Sequence, residues 1–159
     1  MMSNSETDVK GQGQKGDILL EMRDVRIDGF SDEKWHHIVK GVDLTLRRGE
    51  VMGLIGESGA GKSTLGLAAM GFAQPGCKIV GGTINFDGIE LTTATDKEKR
   101  ALWGTRIAYV AQSAAASFNP AHRLMDQTIE STMQDGMRPL AEAQQDAQEL
   151  YASLQLPDP

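Results

Sequence analysis

The stretch Gly56-Glu57-Ser58-Gly59-Ala60-Gly61-Lys62-Ser63-Thr64 decides the fold class, because it has the spacing of a phosphate-binding loop. Its three glycines can adopt backbone angles that residues with side chains avoid, so successive N–H groups can turn inward and form a nest for an anion. The ligand that fits such a nest is a nucleoside triphosphate. All nine residues are therefore predicted to bind nucleotide.

The end of this loop supplies two side chains with a chemical role. A helix is expected to begin near Lys62, and its unpaired first-turn N–H groups and positive dipole end favour a phosphate. The Lys62 ammonium can reach the β- and γ-phosphates, and the Ser63 hydroxyl can supply an oxygen ligand to Mg²⁺. The predicted cofactors are therefore ATP and Mg²⁺, with Ser63 as a metal ligand.

The segments on either side of the loop have the pattern that such a loop requires. Val51-Met52-Gly53-Leu54-Ile55 is a short, nearly continuous apolar run, as expected of a buried parallel strand that enters the loop directly. Leu65, Ala68, Ala69 and Phe72 recur at helical spacing after it. Strand, loop and helix together predict an α/β P-loop NTPase.

Composition argues against several classes of function. The sequence has 16 Lys and Arg against 22 Asp and Glu, which gives a formal net charge of −6, and it has no basic stripe that could follow a nucleic-acid backbone. Its single cysteine, Cys77, cannot form an internal disulfide, and with three histidines it gives no zinc-site spacing. We therefore expect a reduced, cytosolic protein that does not bind nucleic acid.

The amino-terminal residues 1–17 are rich in Gly, Gln, Ser and charged residues and contain no apolar core. They are predicted to be a disordered leader and not a signal peptide. No stretch of the sequence approaches 18 consecutive apolar residues, so the chain is not expected to cross a membrane itself. It could still dock on a protein that does.

Three regions around the loop have the pattern of β structure. Ile18–Ile27 is β-compatible, and Val42–Arg47 alternates apolar and polar residues with period two, so both are predicted to be antiparallel strands. Cys77–Leu91 is predicted to be a hairpin-like segment, with turn signals at Gly81-Gly82 and Asp87-Gly88.

The second half of the chain changes in character. Thr95-Asp96-Lys97-Glu98 has the form of a capping box and predicts a short helix through Trp103, and Arg106–Ala111 is predicted to be a second buried strand. Two helices are expected to follow. Their apolar faces are Met125, Ile129 and Met133 in the first, and Leu140, Ala143, Ala147, Leu150, Tyr151 and Leu154, beginning near Pro139, in the second.

Four stretches together resemble the ATP-binding subunits of ABC transporters, in the branch that serves oligopeptide, dipeptide and nickel importers. They are Gly41-Val42-Asp43-Leu44 with Gly49-Glu50, the phosphate loop, Gly82-Thr83-Ile84-Asn85-Phe86-Asp87-Gly88, and Arg106-Ile107-Ala108-Tyr109-Val110-Ala111-Gln112. The following Ser117-Phe118-Asn119-Pro120 is similar to the Ser-Leu-Asn-Pro of the peptide-importer branch. The likeness covers about residues 18–157.

This resemblance implies roles for further residues. Gln112 is similar to the glutamine that contacts Mg²⁺ and the attacking water, and residues 113–127 would face the coupling helix of a transmembrane permease. An aromatic residue in the loop after the first strand would stack on adenine, contributing on the order of 1–3 kcal/mol. Phe30 is the predicted residue, with Trp35 and His36 as alternatives.

The resemblance also implies a domain layout and an assembly. The expected parts are a leader (1–17), an ATP-binding core of parallel strands with an antiparallel β subdomain (18–111), and the glutamine loop with the start of a helical subdomain (112–159). Two such subunits would pair head to tail, peripherally, at the cytoplasmic face of the membrane. The family's Leu-Ser-Gly-Gly-Gln signature and catalytic Glu do not occur in the sequence, so no catalytic residue is assigned.

Because of these absences, we expect the chain to be the amino-terminal part of an importer ATPase, with an incomplete fold. Acting alone, it is expected to bind nucleotide weakly or moderately, to hydrolyse it negligibly, and to aggregate or require a partner. One alternative is a non-catalytic nucleotide-binding or regulatory module. Another is a DNA-maintenance ATPase, against which the acidic balance and the Ser-Phe-Asn-Pro stretch argue.

Overall fold

The computed structural model describes residues 14, 16–113, 117–134 and 138–156. The chain forms two compact units, residues 1–105 and residues 106–159, and each is described here by itself. Most of the predicted leader lies outside the described residues. The predicted extents of the three domains remain predictions.

The first unit is built on a four-stranded antiparallel sheet. Its strands are β1 (Ile18–Ser31), β2 (Lys34–Arg47), β3 (Cys77–Phe86) and the short β4 (Ile89–Glu90). Their spatial order is β2-β1-β3-β4, so β1 lies in the centre and pairs with both long neighbours. The predictions of antiparallel strands in these regions, and of a hairpin from Cys77 to Leu91, are confirmed.

Alternation along the strands places one face of the sheet in the core. Along Val42–Arg47 the apolar residues are half-buried and the polar residues are exposed, as the period-two pattern predicts. The deepest side chains come from the central strand and its β3 side. They are Met22, Val25, Ile27, Ile84 and Leu91.

Gly82 lies inside β3, although the Gly81-Gly82 pair was predicted to mark a turn. It faces an irregularity in β1, where the register shifts between Arg23 and Arg26. The φ angle of Gly82 is +84°, and a Cβ atom there would lie 2.4 Å from the carbonyl oxygens of Arg23 and Asp24. The glycine is therefore required by a close approach of two backbones within the sheet and not by a reversal of the chain.

Two short helices accompany the sheet. Helix α1 (Lys62–Ala68) follows the phosphate loop, and helix α2 (Asp96–Leu102) begins at the predicted capping box. In that box the Thr95 hydroxyl accepts the Glu98 N–H, while the Glu98 carboxylate accepts the Thr95 N–H at 2.8 Å. Both bonds satisfy N–H groups that would otherwise lack a partner at the start of the helix.

The two predicted parallel strands are not confirmed. In the structure Val51–Ile55 forms no strand, and Val51 and Ile55 are 97% and 100% exposed. Arg106–Ala111 likewise forms no extended strand, and Val110 is 90% exposed. A parallel strand is stable only between neighbours that hydrogen-bond to it and layers that cover its faces. The described strands pair with one another and leave neither segment such a neighbour.

The second unit contains the two predicted helices, α3 (Leu124–Gln134) and α4 (Leu140–Ser153). They pack through a small cluster of Ile129, Ala143 and Ala147, against which Met125 also packs. The hydroxyls of Thr128 and Tyr151 form a hydrogen bond between the helices. The predicted apolar face of α4 is only partly correct, because Leu140, Leu150 and Leu154 are at least half exposed (50%, 52% and 62%).

Candidate nucleotide-binding site

The phosphate loop leads from the exposed segment Val51–Ile55 into α1, as its sequence predicts. Two of its glycines have the left-handed backbone that the nest requires, with φ of +82° at Gly59 and +80° at Gly61. Gly56 is not among the residues with positive φ in the described chain. The turn is closed by the Ala60 N–H, which donates to the Glu57 carbonyl oxygen at 3.2 Å. The loop therefore contains a backbone turn from Glu57 to Ala60.

The Lys62 side chain folds back over the loop. Its Nζ atom donates hydrogen bonds to the carbonyl oxygens of Gly56 at 2.8 Å and Glu57 at 2.6 Å. The two bonds hold the ammonium against the backbone at the start of the loop. Each acceptor is a neutral carbonyl, so the positive charge remains available to an anion.

Gly61 brings the loop against the sheet. A Cβ atom at this position would lie 2.9 Å from Cγ2 of Ile38 and 3.3 Å from Cγ2 of Val39, both on β2. Gly61 is also the N-cap residue of α1, and the Leu65 N–H donates to its carbonyl oxygen at 2.8 Å. A glycine at position 61 therefore meets three requirements: the left-handed backbone of the turn, the start of α1, and the close contact with β2. At Gly59, in contrast, a Cβ atom would meet nothing within 4 Å.

A groove of about 340 Å³ lies between β2, the exposed segment and the start of α1. Its walls are mainly apolar, and the loop contributes Ala60, Gly61 and Lys62 to its lining. The apolar side consists of Ile38, Val39, Val42, Leu54, Ile55 and Leu65. This volume lies within the range of pockets that hold small ligands.

The remaining loop residues are placed for contact with solvent or ligand. Glu57, Ser58 and Ser63 are exposed, and Thr64 is half-buried at the start of α1. No side chain caps the N-terminus of this helix, and its first turn holds no acidic residue. Among the described residues no three His, Cys, Asp or Glu side chains cluster to hold a metal ion. A Mg²⁺ ion that uses Ser63 would take most of its other ligands from phosphate oxygens and water, which is common for this cation.

The predicted adenine-stacking residue lies in an aromatic pair at the end of the β1–β2 hairpin. Phe30 and Trp35 are cross-strand partners with ring centroids 5.2 Å apart, tilted by 56°. Both are about half exposed (51% and 47%). The Lys78 ammonium lies 3.8 Å from the centroid of the Trp35 ring, as in a cation–π contact, so one face of the indole is already covered. His36 is exposed on the same strand.

Gln112 belongs to the second unit, where it lies in a bend and is exposed. Within the predicted permease-facing stretch 113–127, residues 114–116 lie outside the described part. The rest forms a turn at Asn119–His122, followed by the start of α3. The structure thus brings together the loop residues from Gly56 to Lys62, while the roles predicted for Phe30, Ser63 and Gln112 remain predictions.

Two features of the site have no local signal in the sequence. Ile38 and Val39 support Gly61 from a strand more than twenty positions earlier in the chain, and their own pattern indicates only β structure. Lys78 reaches Trp35 because Asp28 of β1 pairs with Lys78 of β3 and with His37 of β2. Contacts of this kind depend on strand register, which single-sequence patterns leave open.

Within the described residues no helix is both long enough and apolar enough to span a bilayer. The family model described as ABC transporter matches residues 39–158. This match includes the loop, α1, the β3–β4 hairpin, α2 and both helices of the second unit.

The chain is similar to several transport proteins. It is 32% identical over 146 residues to the probable peptide ABC transporter ATP-binding protein y4tR of Sinorhizobium fredii, covering 91% of this chain and 44% of that protein. It is 31% identical over 157 residues to the oligopeptide transport ATP-binding protein OppD of Salmonella typhimurium, covering 99% and 46%. With the peptide transport system ATP-binding protein SapD of the same organism, identity is 32% over 113 residues, covering 71% and 34%.

The chain therefore spans less than half the length of these curated relatives. The family match, in contrast, extends over most of the chain and contains its phosphate loop. The chain belongs to the ABC transporter family.

Proposed function

We propose that this chain is the amino-terminal portion of the ATP-binding subunit of an ABC importer, which couples ATP binding and hydrolysis to the uptake of peptides or a related small solute. The observation that carries the proposal is the phosphate loop, in which Lys62 Nζ bonds to the carbonyl oxygens of Gly56 and Glu57. The names of the relatives support the transport role and the peptide class.

The loop would bind the triphosphate through its backbone and one charge. Backbone N–H groups of the loop around Gly59 and Gly61 would donate to the phosphates, and the N-terminus of α1 would add its unpaired donors. Lys62 exchanges its two carbonyl acceptors for phosphate oxygens, which form stronger, charge-assisted bonds. The open space at Gly59 leaves room for a phosphate close to the backbone.

The Ser63 hydroxyl would hold Mg²⁺ beside the bound triphosphate, and Gln112 is the second side chain that we propose as a ligand of this ion. The ion, when bound, supplies positive charge that offsets the negative charge of the phosphates. The chain's own contribution is to hold the triphosphate in one orientation against it.

Adenine would stack on Phe30. Trp35 is the poorer candidate because the Lys78 ammonium already covers one face of its ring. Phe30 is half exposed. His36 would contribute less, since its ring is smaller and polar.

Two segments with the composition of buried strands form no strand among the described residues. Each of them, Val51–Ile55 and Arg106–Ala111, would become a parallel core strand when further strands pair with it. The subunit would act peripherally at the cytoplasmic face of the membrane, as one half of a head-to-tail dimer, with residues 113–127 against the permease. The long matches to transport ATP-binding proteins do not favour the alternative of a regulatory module.

The first test is nucleotide binding by this chain, followed with a fluorescent ATP analogue in the presence of Mg²⁺. Lys62→Ala is expected to weaken binding about tenfold or more, because it removes a charge-assisted contact to phosphate. Lys97→Ala is the matched control, since Lys97 is an exposed lysine of the same unit at the start of α2. Equal binding by wild type and Lys62→Ala would contradict the proposed phosphate site.

The second test distinguishes the aromatic residues. Phe30→Ala is expected to weaken binding of ATP about fivefold to a hundredfold, in line with the loss of one stacking contact, while Trp35→Ala has a smaller effect. The affinity of each variant for inorganic triphosphate is measured as well. Because triphosphate has no base to stack, its affinity should be the same in both variants as in wild type. A larger loss in Trp35→Ala than in Phe30→Ala would reassign the stacking residue.

A further inference from the structure

The turn that precedes α3 is held by one side chain. Gln127 Oε1 accepts the Asn119 N–H at 2.8 Å, and Gln127 Nε2 donates to the Asn119 carbonyl oxygen at 3.0 Å. The amide thus pairs with both backbone groups of a residue eight positions earlier. The same Nε2 atom lies 3.2 Å from the carbonyl oxygen of His122. One glutamine therefore fixes the backbone of residues 118–123, called here the clamped loop.

Asn119 locks the same turn from inside. Its Oδ1 atom accepts the Ala121 N–H at 3.0 Å, and its carbonyl oxygen accepts the His122 N–H at 3.1 Å. Pro120 between them has a fixed φ angle and no N–H group. Hydrogen bonds from Gln127 and Asn119 to its backbone therefore hold the clamped loop.

The residues of this loop are exposed. Residues 117–124 are all in the exposed class, and Phe118, at 38%, is the least open of the large apolar residues there. The apolar cluster of the unit consists of Met125, Ile129, Ala143 and Ala147 and involves no residue of the loop. A backbone held in one conformation around exposed side chains contributes little to the hydrophobic core. It is, however, preorganised for a partner, since a rigid loop loses less conformational entropy on binding.

We infer that Gln127 is a positioning residue of the permease-facing surface, and that its amide holds the clamped loop in the conformation that the permease recognises. The inference rests on the proposed function, because the permease is the partner proposed for residues 113–127. The inference adds that Gln127 shapes this surface without contacting the permease itself. Phe118 and the turn from Asn119 to His122 would make the contact.

The test is binding of the chain to its cognate permease subunits in lipid nanodiscs, measured in parallel with binding of a fluorescent ATP analogue. Gln127→Glu has nearly the same shape but cannot donate to the carbonyl oxygens of Asn119 and His122. It is expected to weaken permease binding about tenfold or more through the loss of these bonds. Gln148→Glu is the matched control, since Gln148 is exposed on α4 and the change in charge is identical. It should bind as wild type does.

A second pair of variants separates positioning from folding. Asn119→Asp keeps the acceptor for the Ala121 N–H and should bind the permease within about threefold of wild type. Asn119→Ala loses it and should bind clearly more weakly. Nucleotide affinity and far-UV circular dichroism should be unchanged in all four variants.

Three outcomes would contradict the inference. If the wild type binds the permease and Gln127→Glu binds it equally well, Gln127 does not position the surface. If Gln127→Glu loses helical signal and Asn119→Asp is as weak as Asn119→Ala, the clamp serves folding alone. If the wild type binds nucleotide but not the permease, the proposed partner is wrong and this inference fails with it, while the nucleotide site stands.

Discussion

The Nη2 atom of Arg48 lies 2.6 Å from Oδ2 of Asp87, and this ion pair joins the end of β2 to the turn between β3 and β4. The two side chains are only 19% and 21% exposed. The Nη2 atom lies within ion-pair distance of Asp87, but its geometry is not that of a hydrogen bond. Arg48 Nε is buried and has no hydrogen-bond partner among the described residues. The pair therefore lies where solvent screens charge less than at an open surface.

Arg48→Ala is expected to lower the free energy of unfolding by about 1–3 kcal/mol, between the values typical of exposed and of fully buried pairs. The reason is that the Asp87 carboxylate stays partly desolvated without its guanidinium. Urea denaturation at pH 7 measures the change. Arg100→Ala, at an exposed arginine of α2, serves as the control. If the difference in unfolding free energy between Arg48→Ala and wild type disappears in 0.5 M salt, the pair is screened like an ordinary surface ion pair.

Gly82→Ala is expected to be strongly destabilising, by about 3 kcal/mol or more, because its Cβ atom would overlap the backbone oxygens of Arg23 and Asp24. Gly88→Ala is the matched control. Gly88 has nearly the same φ angle, +85° against +84°, but a Cβ atom there meets nothing within 4 Å. The control should lose only about 1–2 kcal/mol for the left-handed backbone. Similar thermal unfolding of the two variants would show that β1 yields to the added methyl group.

Gly61→Ala and Gly59→Ala test the two sides of the phosphate loop. Gly61→Ala should lower the thermal stability more, because its methyl group would press on Ile38 and Val39 of β2. Gly59→Ala meets no protein atom, so it should lose only the backbone term of about 1–2 kcal/mol. If the proposed site is correct, Gly59→Ala nonetheless weakens ATP binding, since its methyl group enters the space left for a phosphate. A stability loss at Gly59 that exceeds the loss at Gly61 would contradict the packing described.

Glu90 makes the stability of the β3–β4 hairpin depend on pH. Partial burial by itself would raise the pKa of Glu90, but hydrogen bonds from the Thr92 hydroxyl and from the N–H groups of Ile84 and Thr92 outweigh it, so the pKa lies below its usual value of 4.5. Folding therefore favours the ionised form. The stabilisation is present above pH 4.5 and is lost as the pH falls through the lower folded-state pKa.

Glu90→Gln keeps an oxygen acceptor and removes this titration, so its stability should fall less steeply than that of wild type as the pH is lowered below 4.5. Chemical denaturation across pH 3–6 measures the slopes. Glu33→Gln, at an exposed position of the β1–β2 turn, should leave the slope of the wild type unchanged. Parallel curves for wild type and Glu90→Gln would mean that the Glu90 carboxylate gains nothing on folding.

Local patterns predicted the local structure well. The capping box at Thr95, the alternation from Val42 to Arg47 and the loop-to-helix transition at Lys62 all occur where the sequence indicates. Each depends on residues within one or two turns of one another. Contacts across strands are harder to predict. The sequence predicts a turn at Gly82, whereas the structure requires this glycine because of the irregularity at Asp24, almost sixty positions earlier in the chain.

The candidate site divides in the same way. The position of the loop and its transition into α1 at Lys62 could be predicted from residue types at fixed spacing, while the nucleotide-binding role of Gly56 to Thr64 stays a prediction. Val51–Ile55 has the composition of a buried strand, yet burial needs neighbours that the described strands do not provide. The sequence left Phe30, Trp35 and His36 as candidates for stacking on adenine, and this role stays a prediction. The Lys78 ammonium over one face of the Trp35 ring depends on the register of three strands, which the sequence does not reveal.

The chain has two tryptophans, and they differ in environment. Trp35 is half exposed beneath a lysine ammonium at the hairpin end, whereas Trp103 is half-buried, donates its indole N–H to the Met70 carbonyl oxygen and stacks edge to face with Phe72. Their intrinsic fluorescence should therefore differ in emission wavelength and in access to soluble quenchers. Trp35 would report optically on events near the hairpin and Trp103 on the packing of α2, so the protein carries its own pair of reporters without any label.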